Sequence, residues 1–580
     1  MAQKIFSWKI GGEAGYGILS ACAMFSRLAL RAGMYVFDYG EYPSLIRGGH
    51  NSFEVTASPD KVYAPRRPIS ILVALDEETI VQHRHELAAD GALIYSSKIS
   101  KLAPGDIPAG VLAVDIPFED LAVAAGVGAV GRNVVAIGAS CALLNIPFSL
   151  LQEIVVLNFS LKKKADSLVQ ANVAAAKAGY GFVADKIKQP FPYQATVQKN
   201  PQRMVMTGNE ALLWGAIQAG CKYYAGYPMT PVTALLQGMA SQDQKYGIVV
   251  KHVEDEISAI NSAIGAAYTG VRAMTASSGG GFSLMVEGWG MAAMVEVPLV
   301  VVEGMRTGPS TGMPTWTGQD DLKFLLSASQ GEFPRFVLAP GDAEQCYLFI
   351  QHAFNLAEKY QTPVMVVTDK FLGESHRWVE QSGLVNVPID RGQVLDAAAL
   401  QKVAQFRRYE DTASGVSPRV LPGTPGGEHV ANSDEHDEQG FTEEGAENRT
   451  RMVDKRFRKE AASLEHLPQP VMVGVQRADI TLVSWGSTRG PILEALPILA
   501  AAGIKANYLQ LTTLSPFPIA AVKAAFKQAK KVAIVECNKT GQLAGWLRDQ
   551  TGLSPDFKIL KYDGRPFFTD ELVQTIKDLR

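Results

Sequence analysis

Cysteine is scarce: there are five in 580 residues (Cys22, Cys141, Cys221, Cys346 and Cys537), none of them in a C-x-x-C pair. The chain therefore offers neither a disulfide framework nor a ligand set for an iron–sulfur cluster or structural zinc, and any such centre must come from another chain. An excess of one charge is missing as well. With 55 basic against 58 acidic side chains the net charge is −3, which supplies no polycationic surface for nucleic acid. Nor is there a run suited to a bilayer: the most apolar stretch, 121–144, is interrupted by Arg132 and Asn133, and residues 1–5 lead straight into a strand pattern. No membrane segment and no signal peptide are expected, and the cytoplasm is the expected compartment. Heptads and short tandem repeats are absent too.

What is present is an ordinary globular composition, 47 % hydrophobic with 53 glycines and 31 prolines. At about 100–200 residues per domain this length predicts three or four domains with substantial cores. Apolar runs alternate with helical patterns. Strands at 5–10, 36–38, 69–74 and 91–95, with helices at 18–32 and 134–144, make a first α/β unit over 1–185, expected to hold a largely parallel sheet. The three prolines and the amides between Lys186 and Arg203 predict a linker over 186–206. Strands at 223–226, 248–252, 273–276, 299–302 and 364–368 make a second unit over 207–395, and strands at 479–485, 505–509 and 531–536 a third over 471–580. The connecting stretch 396–470 breaks the pattern. Its part 414–460, rich in Gly, Pro and acids and carrying the run Asp434-Glu435-His436-Asp437-Glu438, predicts a long surface excursion or a disordered insert.

Several motifs sit where strands end. Gly12-Glu13-Ala14-Gly15-Tyr16-Gly17 leaves backbone N–H groups at a helix start, a seat for phosphate. Its order, G-x-x-G-x-G, reverses the dinucleotide fingerprint, although Asp38 stands where a ribose-binding acid would; a tight packing turn explains the same residues. Arg47 before Gly48 and Gly49 joins a guanidinium to a backbone that can approach an anion, in a functional loop or a surface turn. Tyr227-Pro228-Met229-Thr230-Pro231 fixes backbone geometry directly after a strand, at the edge where parallel sheets bind ligands, and Pro231 also suits a first helical position. Glu254-Asp255-Glu256 opens a helix rich in Ala, Ser and Gly, where a buried carboxylate needs a partner.

Taken in order, these motifs resemble the fused gamma-alpha subunit of the 2-oxoacid:ferredoxin oxidoreductases, of the 2-oxoglutarate synthase alpha-subunit type. The resemblance runs over nearly the whole chain. It rests on Gly12 to Gly17, Glu41 to Asn51, Tyr227 to Pro231, Glu254 to Gly270, Thr275 to Met285, Gly308-Pro309-Ser310-Thr311-Gly312, the segment Asp434 to Glu438, Trp485-Gly486-Ser487 and Glu536 to Gln542. It implies an α/β chain of three domains: gamma, thiamine-diphosphate pyrimidine-type and transketolase C-terminal-like. The implied activity is coenzyme A-dependent oxidative decarboxylation of a 2-oxoacid, 2-oxoglutarate first, with ferredoxin as acceptor, or the reverse. Thiamine diphosphate would lie between this chain and a beta subunit carrying the diphosphate site, Mg²⁺ and a [4Fe-4S] cluster, in a dimer of heterodimers. The absence of a Gly-Asp-Gly element here agrees with that division.

By the same resemblance Glu256 is the cofactor-activating acid, with Glu254 as the competing assignment. Tyr227, Pro228, Met229, Thr230, Ser278 and Gly279 line the cofactor, and Thr230 and Arg306 grip the substrate carboxylate. Arg47, Gly48, Gly49, Thr311 and Trp316 are candidates for substrate or coenzyme A. No metal ligands are expected in this chain. Trp316 stands where relatives commonly carry a basic residue, a departure that bears on any preference for a second carboxylate.

Overall fold

The computed structural model describes residues 5–45, 48–102, 105–161, 164–188, 190–198 and 202–579. The architecture is α/β, built on three sheets whose strand pairs are mostly parallel. The central seven-stranded sheet runs Thr513–Ser515, Phe336–Leu338, Val364–Asp369, Val300–Met305, Ala273–Ser277, Tyr223–Gly226, Val249–His252. Every pairing in it is parallel except that of the edge strand Thr513–Ser515. Its middle strands Ala273–Ser277, Val300–Met305 and Val364–Asp369 are buried throughout because helices cover both faces, so they read as mostly apolar runs, with polar Thr275, Ser277, Glu303, Thr368 and Asp369 among their residues.

The first sheet departs from expectation. Phe6–Glu13 pairs in parallel with Ile69–Ala74, but antiparallel with His50–Ser58, which in turn pairs antiparallel with Tyr35–Glu41. The connection at 42–49 is too short for a helical crossover, so the chain returns as a hairpin. His50–Ser58 escapes apolar pattern reading because its buried positions include Ser52, Glu54 and Thr56; Glu54 lies opposite Lys9 in register, 3.5 Å away. Arg203–Met206, inside the stretch read as a linker, and Arg377–Glu380 complete the sheet.

Within 414–460, residues 414–445 form a long, mostly irregular excursion with much of its surface exposed, and the rest is ordered as a helix. The excursion leads into that helix, Ala446–Ser463, whose Lys455 and Lys459 reach Glu296 at 2.5 and 2.6 Å with all three side chains buried. Burial alone would raise the Glu296 carboxyl, but Lys455, Lys459 and Arg408 hold it well below the usual carboxylate range. The acid run is spent in the same way. Glu435 pairs with Arg449 and Arg456, Glu438 with Arg407, and buried His436 bonds the Asp434 carbonyl at 2.9 Å. Among the described residues no group of His, Cys, Asp or Glu is arranged to hold a metal ion. No single helix among them is long and apolar enough to cross a membrane.

Removing one partner of a buried ion pair strands the other charge, at about 3–5 kcal/mol. Glu296→Ala leaves two ammonium groups without a counter-charge, so the thermal unfolding midpoint is expected to fall and limited proteolysis to cut first within 396–470. An unchanged midpoint and cleavage pattern would show that these charges do not hold the segment.

Candidate active site

The carboxyl ends of the central strands carry the residues singled out from the sequence. Tyr223–Gly226 runs into Tyr227, Pro228, Met229 and Thr230, and the helix Thr233–Tyr246 follows. Tyr227 is exposed with its ring against His252, while Met229 and Thr230 are partly covered. After Val249–His252, Asp255 caps the helix Glu256–Tyr268 by accepting from the Ser258 N–H at 2.8 Å. That cap turns the two acids apart. Glu254 stays in solvent, bonded to Ser258 Oγ at 2.7 Å, and Glu256, 3 % exposed, points into the protein.

Glu256 meets the start of the helix Gly279–Met294, where glycine is required by close approach. A Cβ on Gly281 would stand 2.5 Å from Glu256 Oε1 and 1.9 Å from Ser277 Oγ, and one on Gly279 would stand 2.2 Å from Asp321 Oδ2. Two carboxylates therefore sit against one helix N-terminus, the pole that favours negative charge. The hydrogen bond that Glu256 receives from the protein is a long one, 3.5 Å from Ser277 Oγ. Ser278 Oγ and Thr275 Oγ1 are buried with no hydrogen-bond partner among the described residues. A bound group or an ordered water would satisfy such orphaned polar groups.

Arg306 follows Val300–Met305 directly and donates from Nη1 to the Thr230 carbonyl at 3.1 Å, so Thr230, Glu256 and Arg306 converge. Burial lowers the Arg306 pKa, and the negative fields of Asp321 and Glu256 oppose that. Sequence reasoning missed the acids beneath. Glu303 is fully buried and pushed well up by burial and by Asp321 and Asp369. Asp321 is pushed up to about 6 by burial and by Asp320, with the Glu303 hydrogen bond and Arg306 acting the other way. Burial and repulsion from neighbouring carboxylates thus raise two adjoining carboxyls together.

From Thr307 to Asp320 the chain forms a pinched loop. Thr307 Oγ1 donates to the Thr317 carbonyl at 2.9 Å and Gly308 N–H to Asp320 at 3.3 Å, leaving Thr311 exposed at the tip. Gln319 anchors the root. Its N–H donates to the Cys537 carbonyl at 2.7 Å, its Oε1 accepts from Cys537 N–H at 2.8 Å and its Nε2 donates to the Trp485 carbonyl at 3.0 Å. Asn538 Nδ2 donates to the Gln319 carbonyl at 2.9 Å. The motif Trp485-Gly486-Ser487 and the motif from Glu536 are thereby placed at the root of this loop, where Ser487 Oγ also donates to the buried Asp369 carboxylate. Trp316 is half-buried beneath Arg565 of the third unit.

The first unit's candidates lie apart from this convergence. Arg47 falls outside the described residues. Gly48 and Gly49 both have φ of +76°, and a Cβ on Gly49 would meet Pro43 at 2.6 Å, so the hairpin itself accounts for the glycine pair. Gly15 and Gly17 likewise take positive φ before the helix Ile18–Arg31, beside a cavity of about 820 Å³ that Asn209 and Lys370 also line. Asp38 is unavailable to a ribose. It is buried and accepts from His376 N–H at 2.7 Å, His376 Nδ1 at 2.9 Å and Ser26 Oγ at 3.0 Å.

Comparison with known proteins gives a consistent picture. Residues 7–182 match the family described as Pyruvate ferredoxin/flavodoxin oxidoreductase. Residues 214–455 match Pyruvate flavodoxin/ferredoxin oxidoreductase, thiamine diP-bdg, and 478–556 match Pyruvate:ferredoxin oxidoreductase core domain II. The chain is 33 % identical to the 2-oxoacid:ferredoxin oxidoreductase subunit alpha of Saccharolobus solfataricus, over 98 % of this chain and 97 % of that one. It is 35 % identical to the 2-oxoglutarate synthase subunit KorA of Methanothermobacter thermautotrophicus, over 57 % of this chain and 86 % of that one. The 2-oxoglutarate:ferredoxin oxidoreductase of Magnetococcus marinus, solved with 2-oxoglutarate, coenzyme A and succinyl-CoA bound, superposes with a TM-score of 0.93 at 32 % identity, covering 99 % of both chains.

The acid cluster generates a pH dependence. Asp321 faces Glu303, Asp320 and Arg306, with Glu256 and Asp369 behind them. As pH rises through about 6 it gains negative charge beside Arg306, so an anion bound by that guanidinium is held less tightly. KM for a carboxylate substrate is expected to rise about two- to tenfold between pH 5 and 7, and Asp321→Asn to flatten that rise. A profile identical in wild type and Asp321→Asn would separate the two side chains functionally.

Proposed function

The chain belongs to the 2-oxoacid:ferredoxin oxidoreductase family, and from that premise we propose that it is the alpha subunit of an enzyme that oxidatively decarboxylates 2-oxoglutarate. The products are succinyl-CoA and CO₂, electrons pass to ferredoxin, and the reverse carboxylation uses the same groups. What carries the reading is the convergence of Glu256, Thr230 and Arg306 on one sheet edge, beside the glycine start of Gly279–Met294. The likeness over 99 % of the chain to an enzyme solved with 2-oxoglutarate and coenzyme A bound supports the substrate.

The residues present fit thiamine diphosphate. A buried carboxyl with one long hydrogen bond, an orphaned Ser278 hydroxyl and the partly covered Met229 match an aminopyrimidine ring's donors and apolar face. Tyr227, Pro228 and Gly279 complete that wall. When bound, thiamine diphosphate supplies a thiazolium carbon nucleophile and an electron sink for the decarboxylated fragment. Glu256, itself buried, would hold a proton against the aminopyrimidine ring nitrogen and exchange it there. Arg306, oriented by the Thr230 carbonyl, binds the substrate's 1-carboxylate.

The chain is half of the site. A beta subunit supplies the diphosphate-binding residues, Mg²⁺ and the [4Fe-4S] cluster that passes electrons to ferredoxin, and two such pairs assemble into a dimer of heterodimers in the cytoplasm. Coenzyme A takes the acyl group, with Thr311 and the loop around Gly48 and Gly49 among the groups available to it. Expressed alone, the chain is expected to be colourless and to bind thiamine diphosphate weakly. A stoichiometric brown chromophore, or submicromolar cofactor affinity by calorimetry, would sink the division between subunits.

Glu256→Gln keeps the shape and removes the exchangeable proton. In the reconstituted complex turnover is expected to drop by about 10² or more with assembly unchanged, whereas Glu254→Gln, altering a solvated side chain, stays near wild type. If Glu254→Gln is the inactive variant and Glu256→Gln works normally, the acid has been misassigned.

A further inference from the structure

Three units meet around Trp316. The Arg565 guanidinium carbon lies 3.8 Å from the centroid of its ring, and Arg565 Nε lies 3.8 Å from Glu41 Oε1 of the first unit. Nη1 donates to the Asp563 carbonyl at 3.0 Å, and Nη2 has no hydrogen bond among the described residues. The side chain is about one-third exposed. Backbone bonds fix this cation beside the loop that begins at Arg306. Thr317 N–H donates to the Gly564 carbonyl at 3.0 Å, and Thr307 N–H to the Trp316 carbonyl at 3.4 Å. On the other side Thr315 Oγ1 donates to the Tyr42 carbonyl. One loop therefore bears a guanidinium at its root, Arg306, and a second over its aromatic, Arg565.

A guanidinium stacked on indole is held by about 0.5–2 kcal/mol of cation–π attraction through its face. Stacking leaves the in-plane N–H groups for hydrogen bonding, which suits a planar carboxylate. Glu41 balances the charge but stands beyond hydrogen-bond distance, so it does not occupy those donors. We propose that Arg565, held flat by Trp316, binds the distal carboxylate of a dicarboxylic 2-oxoacid and is the residue that selects 2-oxoglutarate over monocarboxylic analogues. This rests on the reading of 2-oxoglutarate as the substrate. It gives Trp316 a role without a charge of its own: the indole is the platform that orients a cation delivered from the third unit.

The test is a substrate panel on the reconstituted complex, with a low-potential dye as acceptor. 2-Oxoglutarate, 2-oxobutyrate and pyruvate are compared in wild type, Arg565→Gln and Arg565→Lys, and KM for coenzyme A is measured in each. Arg565→Gln is expected to lower kcat/KM for 2-oxoglutarate ten- to hundredfold, chiefly through KM, and to leave 2-oxobutyrate within about twofold. Arg565→Lys, which keeps the charge and loses the planar stack, should recover part of that loss. Unaltered 2-oxobutyrate turnover also certifies that the variant is folded and assembled. An equal loss on all three oxoacids, or a rise confined to KM for coenzyme A, overturns the assignment of Arg565 while 2-oxoglutarate remains the wild-type substrate. A wild-type enzyme that prefers pyruvate overturns the substrate reading itself, and the role of Arg565 with it.

Discussion

Gln319 is fully buried and uses its backbone and side chain together to grip two strand ends of the third unit, Trp485 and Cys537–Asn538. Each such bond contributes about 1 kcal/mol net, but leaving the Trp485 carbonyl or the Cys537 N–H unpaired in a dry interface would cost about 1–3 kcal/mol apiece. The interface is therefore close to all-or-none. Everything catalytic in the loop from Arg306 to Asp321 hangs between that anchor and the strand Val300–Met305. Arg306 at one end and Asp321 at the other come close only because the loop is pinched shut. The third unit carries none of the converging residues, yet it determines their spacing.

Electrostatics inside this frame is arranged by burial more than by pairing. Glu303, Asp321 and Asp369 all lie beneath the sheet edge with carboxyls raised by desolvation. A cluster of that size kept fully ionised would repel any anionic substrate. Burial, by raising these carboxyls, disfavours their charged forms and so moderates that repulsion, while the Thr230 carbonyl orients the guanidinium. The opposite solution appears behind the site, where Glu296 is kept charged by two buried lysines and serves to seat a helix rather than to react.

Where a strand of the central sheet runs straight into a turn, sequence and structure agree closely. Tyr223–Gly226 into Tyr227, Ala273–Ser277 into Ser278 and Val300–Met305 into Arg306 are examples, because parallel strands covered on both faces must be apolar and must end in a turn. His50–Ser58 was illegible since it neutralises buried charge instead of burying hydrocarbon. The helix Ala446–Ser463 was hidden for the same reason: its arginines, lysines and glutamates suggest solvent, and the partner of its two buried lysines, Glu296, lies more than a hundred residues away. Gln319 and Arg565 carry no local signal at all. A glutamine in a glycine-flanked loop and an arginine before a proline acquire meaning only when three units come together, and nothing in their neighbours' spacing announces it.

The strands that cross between units limit how this protein could have been assembled. Thr513–Ser515 leaves its own unit to close the edge of the central sheet at Phe336–Leu338, and Arg203–Met206 with Arg377–Glu380 does the same for the first sheet. Two of the three sheets thus end in strands borrowed from outside their own unit, and the lender cannot be removed without exposing a bare, pairing-competent edge to solvent. Once a strand has been lent, the two parts must be inherited together, or some other segment must already be in place to cover the edge.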